Sequence, residues 1–205
     1  MPSSPGTIIA ERPIAERDGC QVSLAQLDDG SRVILRRTTS SHVSAESRLE
    51  GLAEFQRAGL AGFADILGTR LLQGGLEIRE ALVEGFSLGS ALDPIQTHIT
   101  VNVALSLVHE TARSLARLHA LRGPDGQPAR LIHGQLGLED VVIARRGQAV
   151  VVGLTGLRGD LIEDVEALMA VMRELLATRA VNSKGSALLD RLADLKFASC
   201  AELAR

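Results

Sequence analysis

The sequence predicts an α+β fold in one domain, residues 1–205. A β-rich part with one helix spans residues 1–84, and a helix-rich part spans 85–205. Three observations predict it. Up to about residue 82, apolar residues alternate over short runs, which is the period of strands. Those runs are separated by turn pairs, Asp18-Gly19, Asp29-Gly30 and Gly74-Gly75. From about residue 99 the apolar spacing changes to three and four, the period of helices.

Thr7–Ala15 is an extended run whose Pro13 suits an edge strand. Gln21–Leu27 alternates Val22, Leu24 and Leu27 with polar or small residues. Asp29-Gly30 is a hairpin signal, and Arg32–Arg36 returns as its partner. The hydroxyl cluster Thr38–Ser41 offers N-caps for a helix over about Val43–Ala58. Strands follow near Ala64–Leu72 and Leu76–Leu82. Val101, Leu105, Val108, Ala112, Leu115 and Leu118 share one helical stripe, which ends before the Gly- and Pro-containing loop 122–128. Val141–Ile143 and Ala149–Val152 read as short strands around the turn Arg145-Arg146-Gly147. Helices are expected from about Leu161 to Ala177, over Ala187–Leu195 and over Ala198–Ala204, with Val181–Gly185 a loop.

Composition narrows the function. Apolar residues make up 45% and charged residues 23%, enough for a sizeable core. Aromatics are 2%, with no Trp or Tyr, so the core is built from Leu, Val, Ile and Ala, and a base-stacking surface is not expected. The net charge of −3 argues against polyanion binding. Cys20 and Cys200 have no Cys or His at ligand spacing and are expected to be free thiols in a reducing cytoplasm. The N-terminal stretch lacks a basic region and an apolar run, and no segment approaches a membrane span, so a cytoplasmic protein is expected.

The stretch 130–154, RLIHGQLGLEDVVIARRGQAVVVGL, carries the functional argument. A protein-kinase catalytic loop reads roughly H-R-D-L-x-x-x-N, with D-F-G some dozen residues later. Here His133-Gly134-Gln135-Leu136 is followed by Asp140 and then by Gly153-Leu154-Thr155. Val33-Ile34-Leu35-Arg36 resembles the V-A-I-K strand. The helix with Glu46, Glu50 and Glu54 resembles the C-helix. The run Glu80-Ala81-Leu82-Val83-Glu84-Gly85-Phe86-Ser87-Leu88 resembles the hinge. Leu118-His119-Ala120 resembles the end of the long helix before the catalytic loop, and Asp164-Val165-Glu166-Ala167-Leu168 resembles the D-V-x-x-L opening of the next one. Taken in order, these pieces resemble the protein-kinase superfamily, most closely its small bacterial Ser/Thr-kinase-type domains. His133-Gly134 also resembles the H-G-D of aminoglycoside-phosphotransferase-like enzymes, from which Gln135 departs.

The resemblance implies a protein-kinase-like two-lobed fold with a shortened helical lobe, whose chemistry is degenerate. Phosphoryl transfer is mostly positioning and charge stabilisation. Gln135 stands for the catalytic Asp, and an amide is no general base. Gly153 stands for the metal-binding Asp and has no ligand atom. Asp140 stands for the second metal ligand, with turn chemistry as its other role. His133 is expected to pack its ring against the fold. Arg36 keeps the charge of the phosphate-binding Lys but not its shape, and is expected to pair with Glu50 or Glu46 of the helix, Glu50 first. Arg36, Glu50, Glu80 and Leu82 would border a vestigial nucleotide cleft. Asp164 resembles the buried Asp that accepts N–H groups from the catalytic loop. Only eleven positions lead from Gly153 to Asp164, too few for an activation segment, so an exposed apolar patch is expected there, covered by a partner or a second copy. The implied protein is a pseudokinase working by protein interactions, without nucleic acid, membrane or metal. ATP without Mg²⁺ is the one cofactor left open. A divergent kinase or a metal-independent ATP sensor is the alternative.

Overall fold

The computed structural model describes residues 6–17, 19–39, 44–91, 100–177 and 197–204. Five antiparallel strands form the first sheet: β1 (Ile8–Arg17), β2 (Cys20–Leu27), β3 (Arg32–Thr39), β4 (Ile66–Leu72) and β5 (Gly75–Ala81), in the order β1-β2-β3-β5-β4. β1 is an edge strand, as Pro13 requires, and its pairing with β2 is irregular between Pro13 and Ala15.

Helix α1 (Ala45–Ala58) lies between β3 and β4. Its N-cap is Ser44, whose hydroxyl accepts the Ser47 N–H at 3.1 Å, so the cap lies beyond the predicted Thr38–Ser41 cluster. Gly59, at φ 57°, closes the helix by binding back to the Phe55 carbonyl.

The second part begins with β6 (Gly85–Ser87) and the short α2 (Leu88–Ala91), followed by α3 (Val101–His119), capped by Thr100. Next come β7 (Leu131–Ile132), a 3₁₀ turn over Leu138–Asp140, β8 (Val141–Ala144), β9 (Ala149–Val151), β10 (Leu157–Arg158), α4 (Ile162–Ala177) and α5 (Cys200–Leu203). The expected loop Val181–Gly185 and helix Ala187–Leu195 lie outside the described residues. β6, β7 and β10 are additions to the predicted elements. Each has two or three residues and exists through its pairing, β6 with β8 and β7 with β10.

One core runs through both parts. Leu76 and Ile78 of β5 meet Leu52 and Phe55 of α1, and the same cluster continues into Leu115 and Leu118 of α3 and Leu168 and Leu175 of α4. The opposite face of the first sheet has its own small cluster, Ala25, Leu27, Val33 and Leu35. Beside it Glu77 is fully buried, and Arg37 at 2.9 Å and Arg70 at 3.2 Å balance its charge.

The segment from Gly153 to Asp164 corrects the expected exposed patch. It folds back on α1, and among its described residues no large apolar side chain is exposed. β10 pairs with β7, Arg158 holds Glu54 of α1 at 2.9 Å, and the same guanidinium donates to the Ala129 carbonyl. The backbones of α1 and this segment touch at two glycines. A Cβ on Gly51 would lie 2.7 Å from the Gly156 carbonyl oxygen, and one on Gly156 would lie 2.2 Å from the Arg48 carbonyl oxygen. Glycine at both positions lets the helix seat directly on the loop.

Candidate functional site

The candidate site lies where β3, β5 and α1 face the turn 133–140 and the backbone at 153–155. Asp164, at the start of α4, holds that turn from below and is fully buried. Its carboxylate accepts the His133 N–H at 2.8 Å, the Gly134 N–H at 2.9 Å and the His119 ring nitrogen Nε2 at 2.9 Å. Burial alone would raise its pKa. The His119 hydrogen bond and the two backbone N–H groups outweigh burial and hold the carboxyl below its ordinary value. The His133 side chain is buried as well, with Nε2 2.8 Å from the Val152 carbonyl oxygen. A carbonyl only accepts, so Nε2 carries the proton.

Above this turn the charges are matched to one another. Arg36 Nε donates to Glu80 at 2.9 Å, and the other Glu80 oxygen accepts the Gly153 N–H at 2.7 Å. Glu80 is almost fully buried. Burial opposes the charge on Arg36, but Glu80 and Asp140 outweigh it and raise its pKa. Gly153 sits at φ 84°, and a Cβ there would lie 3.1 Å from both Arg36 Cζ and Asp140 Oδ1. The guanidinium therefore stands where a longer side chain at 153 would need to go. Asp140 accepts the Gly137 N–H at 3.0 Å, a local turn bond, and reaches Arg17 at the end of β1 at 3.5 Å. Arg17, on the first sheet, thus bridges to the second part.

Two spaces flank this cluster. An open cleft of about 420 Å³ has Ile14, Val22 and Ile34 above it, Leu82 in the connection between β5 and β6, and Val142 and Val152 below. Its size falls in the range of small-molecule sites. Deeper in, a chamber of about 40 Å³ lies among Cys20, Arg36, His133, Asp140 and Thr155. Burial pushes the Cys20 thiol above its ordinary pKa, and its surroundings place it in the field of Arg36, Arg48, Asp140 and Glu80.

The structure brings His133, Gln135, Asp140, Gly153 and Arg36 around the chamber, and Arg36, Glu80, Leu82 and Asp140 around the open cleft. It leaves Glu50 out. Glu50 is exposed on α1, and the expected Arg36–Glu50 pair is replaced by Arg36–Glu80. Alternation in β5 explains the change, because Leu76, Ile78 and Glu80 share its inward face. Two further residues were not anticipated. Arg48 is buried on α1, four residues before Leu52 and seven before Phe55, so helical spacing marks it. Arg17 ends an exposed strand, and no sequence signal distinguishes it. Among the described residues no group of three His, Cys, Asp or Glu could hold a metal ion. None of the described helices is long and apolar enough to cross a membrane.

No protein-family model matches this chain, and no curated protein matches it by sequence. Solved structures do match. One is described as the pseudokinase domain of BIR2, an immune regulator of the RLK/Pelle family. It superposes with a TM-score of 0.60 at 19% identity, covering 86% of this chain and 60% of that one. At that identity the likeness concerns fold, and the fold is protein-kinase-like. The chain thus spans somewhat less than two thirds of that solved domain.

Proposed function

We propose that this chain is a degenerate kinase-like domain of the bacterial Ser/Thr-kinase type. It is catalytically inactive and acts as a regulatory or scaffolding module in the cytoplasm. One observation carries the proposal: the groups that should serve a metal nucleotide are bonded to each other. Arg36 is paired with Glu80, Glu80 also takes the Gly153 N–H, and Gly153 offers no carboxylate. Gln135 adds the loss of a base, a loss typically worth about 10²–10⁴ in rate. The pseudokinase neighbour supports the same reading by analogy of fold. On this reading residues 1–205 act as one domain, its two lobes meeting near Glu84-Gly85. The partner is a protein, and an active kinase or a second copy of this chain is the first to try.

The open cleft of about 420 Å³ favours a second reading, a nucleotide sensor that works without metal. Calorimetric titration with ATP, in Mg²⁺ and then in EDTA, separates the two, alongside a phosphotransfer assay. The inactive module predicts no turnover and no heat in either condition. Heat that persists in EDTA and vanishes in Arg36→Ala supports the sensor. Turnover, or binding that needs Mg²⁺, rejects both.

A further inference from the structure

We propose that the open cleft and the small chamber at its inner end together bind an uncharged organic alcohol, its apolar body in the cleft and its hydroxyl in the chamber between His133 and Thr155. The two spaces share Arg17, Val22, Arg36 and Asp140 as walls, so they adjoin. His133 is 1% exposed and Thr155 4% exposed, and both line the chamber. In each, one buried side-chain atom has no hydrogen-bond partner in the protein: Nδ1 of His133 and the hydroxyl of Thr155. Nε2 carries the His133 proton, because it faces the Val152 carbonyl at 2.8 Å. On the neutral ring Nδ1 is then an acceptor, and the Thr155 O–H is a donor. Buried polar groups are rarely left unpaired. One ligand hydroxyl satisfies both, donating to Nδ1 and accepting from Thr155.

Charge excludes other tips. Arg36 is held by Glu80 at 2.9 Å, and Arg17 meets Asp140 at 3.5 Å. The point that a Cβ on Gly153 would take lies 3.1 Å from both Arg36 Cζ and Asp140 Oδ1, so these two opposite charges face the same space. A carboxylate or phosphate entering there meets Asp140, and an ammonium meets Arg36. Each would be buried beside a like charge, with its only counter-charge already paired. A neutral tip meets neither penalty.

Size and polarity select the rest. A chamber of about 40 Å³ exceeds the roughly 10–15 Å³ that one water needs and takes the end of a primary alcohol. The cleft of about 420 Å³, walled by Ile34, Leu82, Val142 and Val152, takes an apolar body of small-molecule size. The proposal does not rest on the inactive-module reading, which the phosphotransfer assay judges separately.

Saturation-transfer NMR with phenylpropanol, phenylpropylamine, phenylpropanoate and the methyl ether of phenylpropanol tests it at neutral pH. Wild type should bind the alcohol at least about tenfold more tightly than the amine or the carboxylate. The ether accepts a hydrogen bond but cannot donate one, and should bind about fivefold more weakly than the alcohol. The nitrogen resonance of His133 Nδ1 should shift on binding, as it gains a donor. Thr155→Val should weaken the alcohol roughly fivefold to tenfold at an unchanged melting temperature. Equal or tighter binding of the amine or the carboxylate would mean that apolar contact or charge, not the hydroxyl, holds the ligand. An unmoved His133 Nδ1 would mean that the alcohol stays in the cleft. Either result, or no saturation transfer to phenylpropanol at millimolar concentration, overturns the proposal.

Discussion

Two buried carboxylates in this molecule do similar work with opposite consequences. Asp164 accepts two backbone N–H groups, at 2.8 and 2.9 Å, and Glu80 accepts one, at 2.7 Å. Asp164 spends its remaining capacity on His119, and its position under the turn leaves the cleft untouched. Glu80 spends its remaining capacity on Arg36, the cation of the cleft. The first arrangement holds the loop in place whatever the loop does. The second pairs a guanidinium that lines the cleft. Scaffold and chemistry are thus physically separable, and a kinase-like frame persists with its cation corner closed on itself.

The comparison breaks first at Asp164. Asp164→Ala removes a fully buried acceptor of three hydrogen bonds and should cost about 3–5 kcal/mol by denaturant unfolding. The pH dependence follows from its lowered pKa. That stabilisation is fully present above the ordinary Asp value of about 3.9 and is lost as pH falls through the lower folded value. Wild type should therefore lose stability in that acid window, and Asp164→Asn should lose less of it there. Equal acid profiles would remove Asp164 from the account.

Glu80 comes next. Glu80→Ala strands the Arg36 charge and the Gly153 N–H, and should cost about 3 kcal/mol. The paired replacement Arg36→Met with Glu80→Leu should recover most of that loss, because a buried ion pair is often worth little over a well-packed apolar pair. Failure of the double variant to recover would show that Asp140 also depends on Arg36 for its balance.

Much of this contrast was legible in the sequence, though unevenly. The turn pairs and the change of period place β2, β3, β5, α1, α3 and α4 within a few residues. Asp164 is legible through the residues that follow it and through its distance from Gly153. The Arg36–Glu80 pair is less legible because the kinase pattern offers a helix Glu for Arg36, whereas alternation along β5 turns Glu80 inward with Leu76 and Ile78. The same reasoning applies to Arg48, which helical spacing places on the stripe of Leu52 and Phe55. β6, β7 and β10 carry no periodic signal, since strands of two or three residues are made by their partners. The docking of residues 153–158 on α1 was hidden because two glycines, Gly51 and Gly156, create it by lacking side chains.

Gly153→Asp sharpens the contrast by placing a carboxylate where the resembled kinase pattern has one. The position lies at φ 84°, where a side chain costs roughly 1–2 kcal/mol, and Arg36 and Asp140 already stand 3.1 Å from the new Cβ. The variant should lose about 2 kcal/mol and gain no Mg²⁺-dependent ATP heat. Metal-dependent binding in this variant would mean that the missing carboxylate at 153 matters more than the Arg36–Glu80 pair.

The smallest effect belongs to Arg17, the bridge between the two parts. Its side chain is 49% exposed and meets Asp140 at 3.5 Å, so solvent screens the pair, and Arg17→Ala should change stability by no more than about 0.5 kcal/mol. Its consequence should appear instead in access. Cys20 lies beside Arg17 in the chamber wall, buried and with its thiol pKa raised by that burial. Alkylation of Cys20 near pH 8 should be slow in wild type and faster in Arg17→Ala, at unchanged unfolding free energy. Cys200, buried against the helices and pushed up to about 12, is the internal control that should stay unreactive in both. Faster labelling of both thiols would indicate general loosening, and equal labelling in the two proteins would show that Arg17 does not guard the chamber.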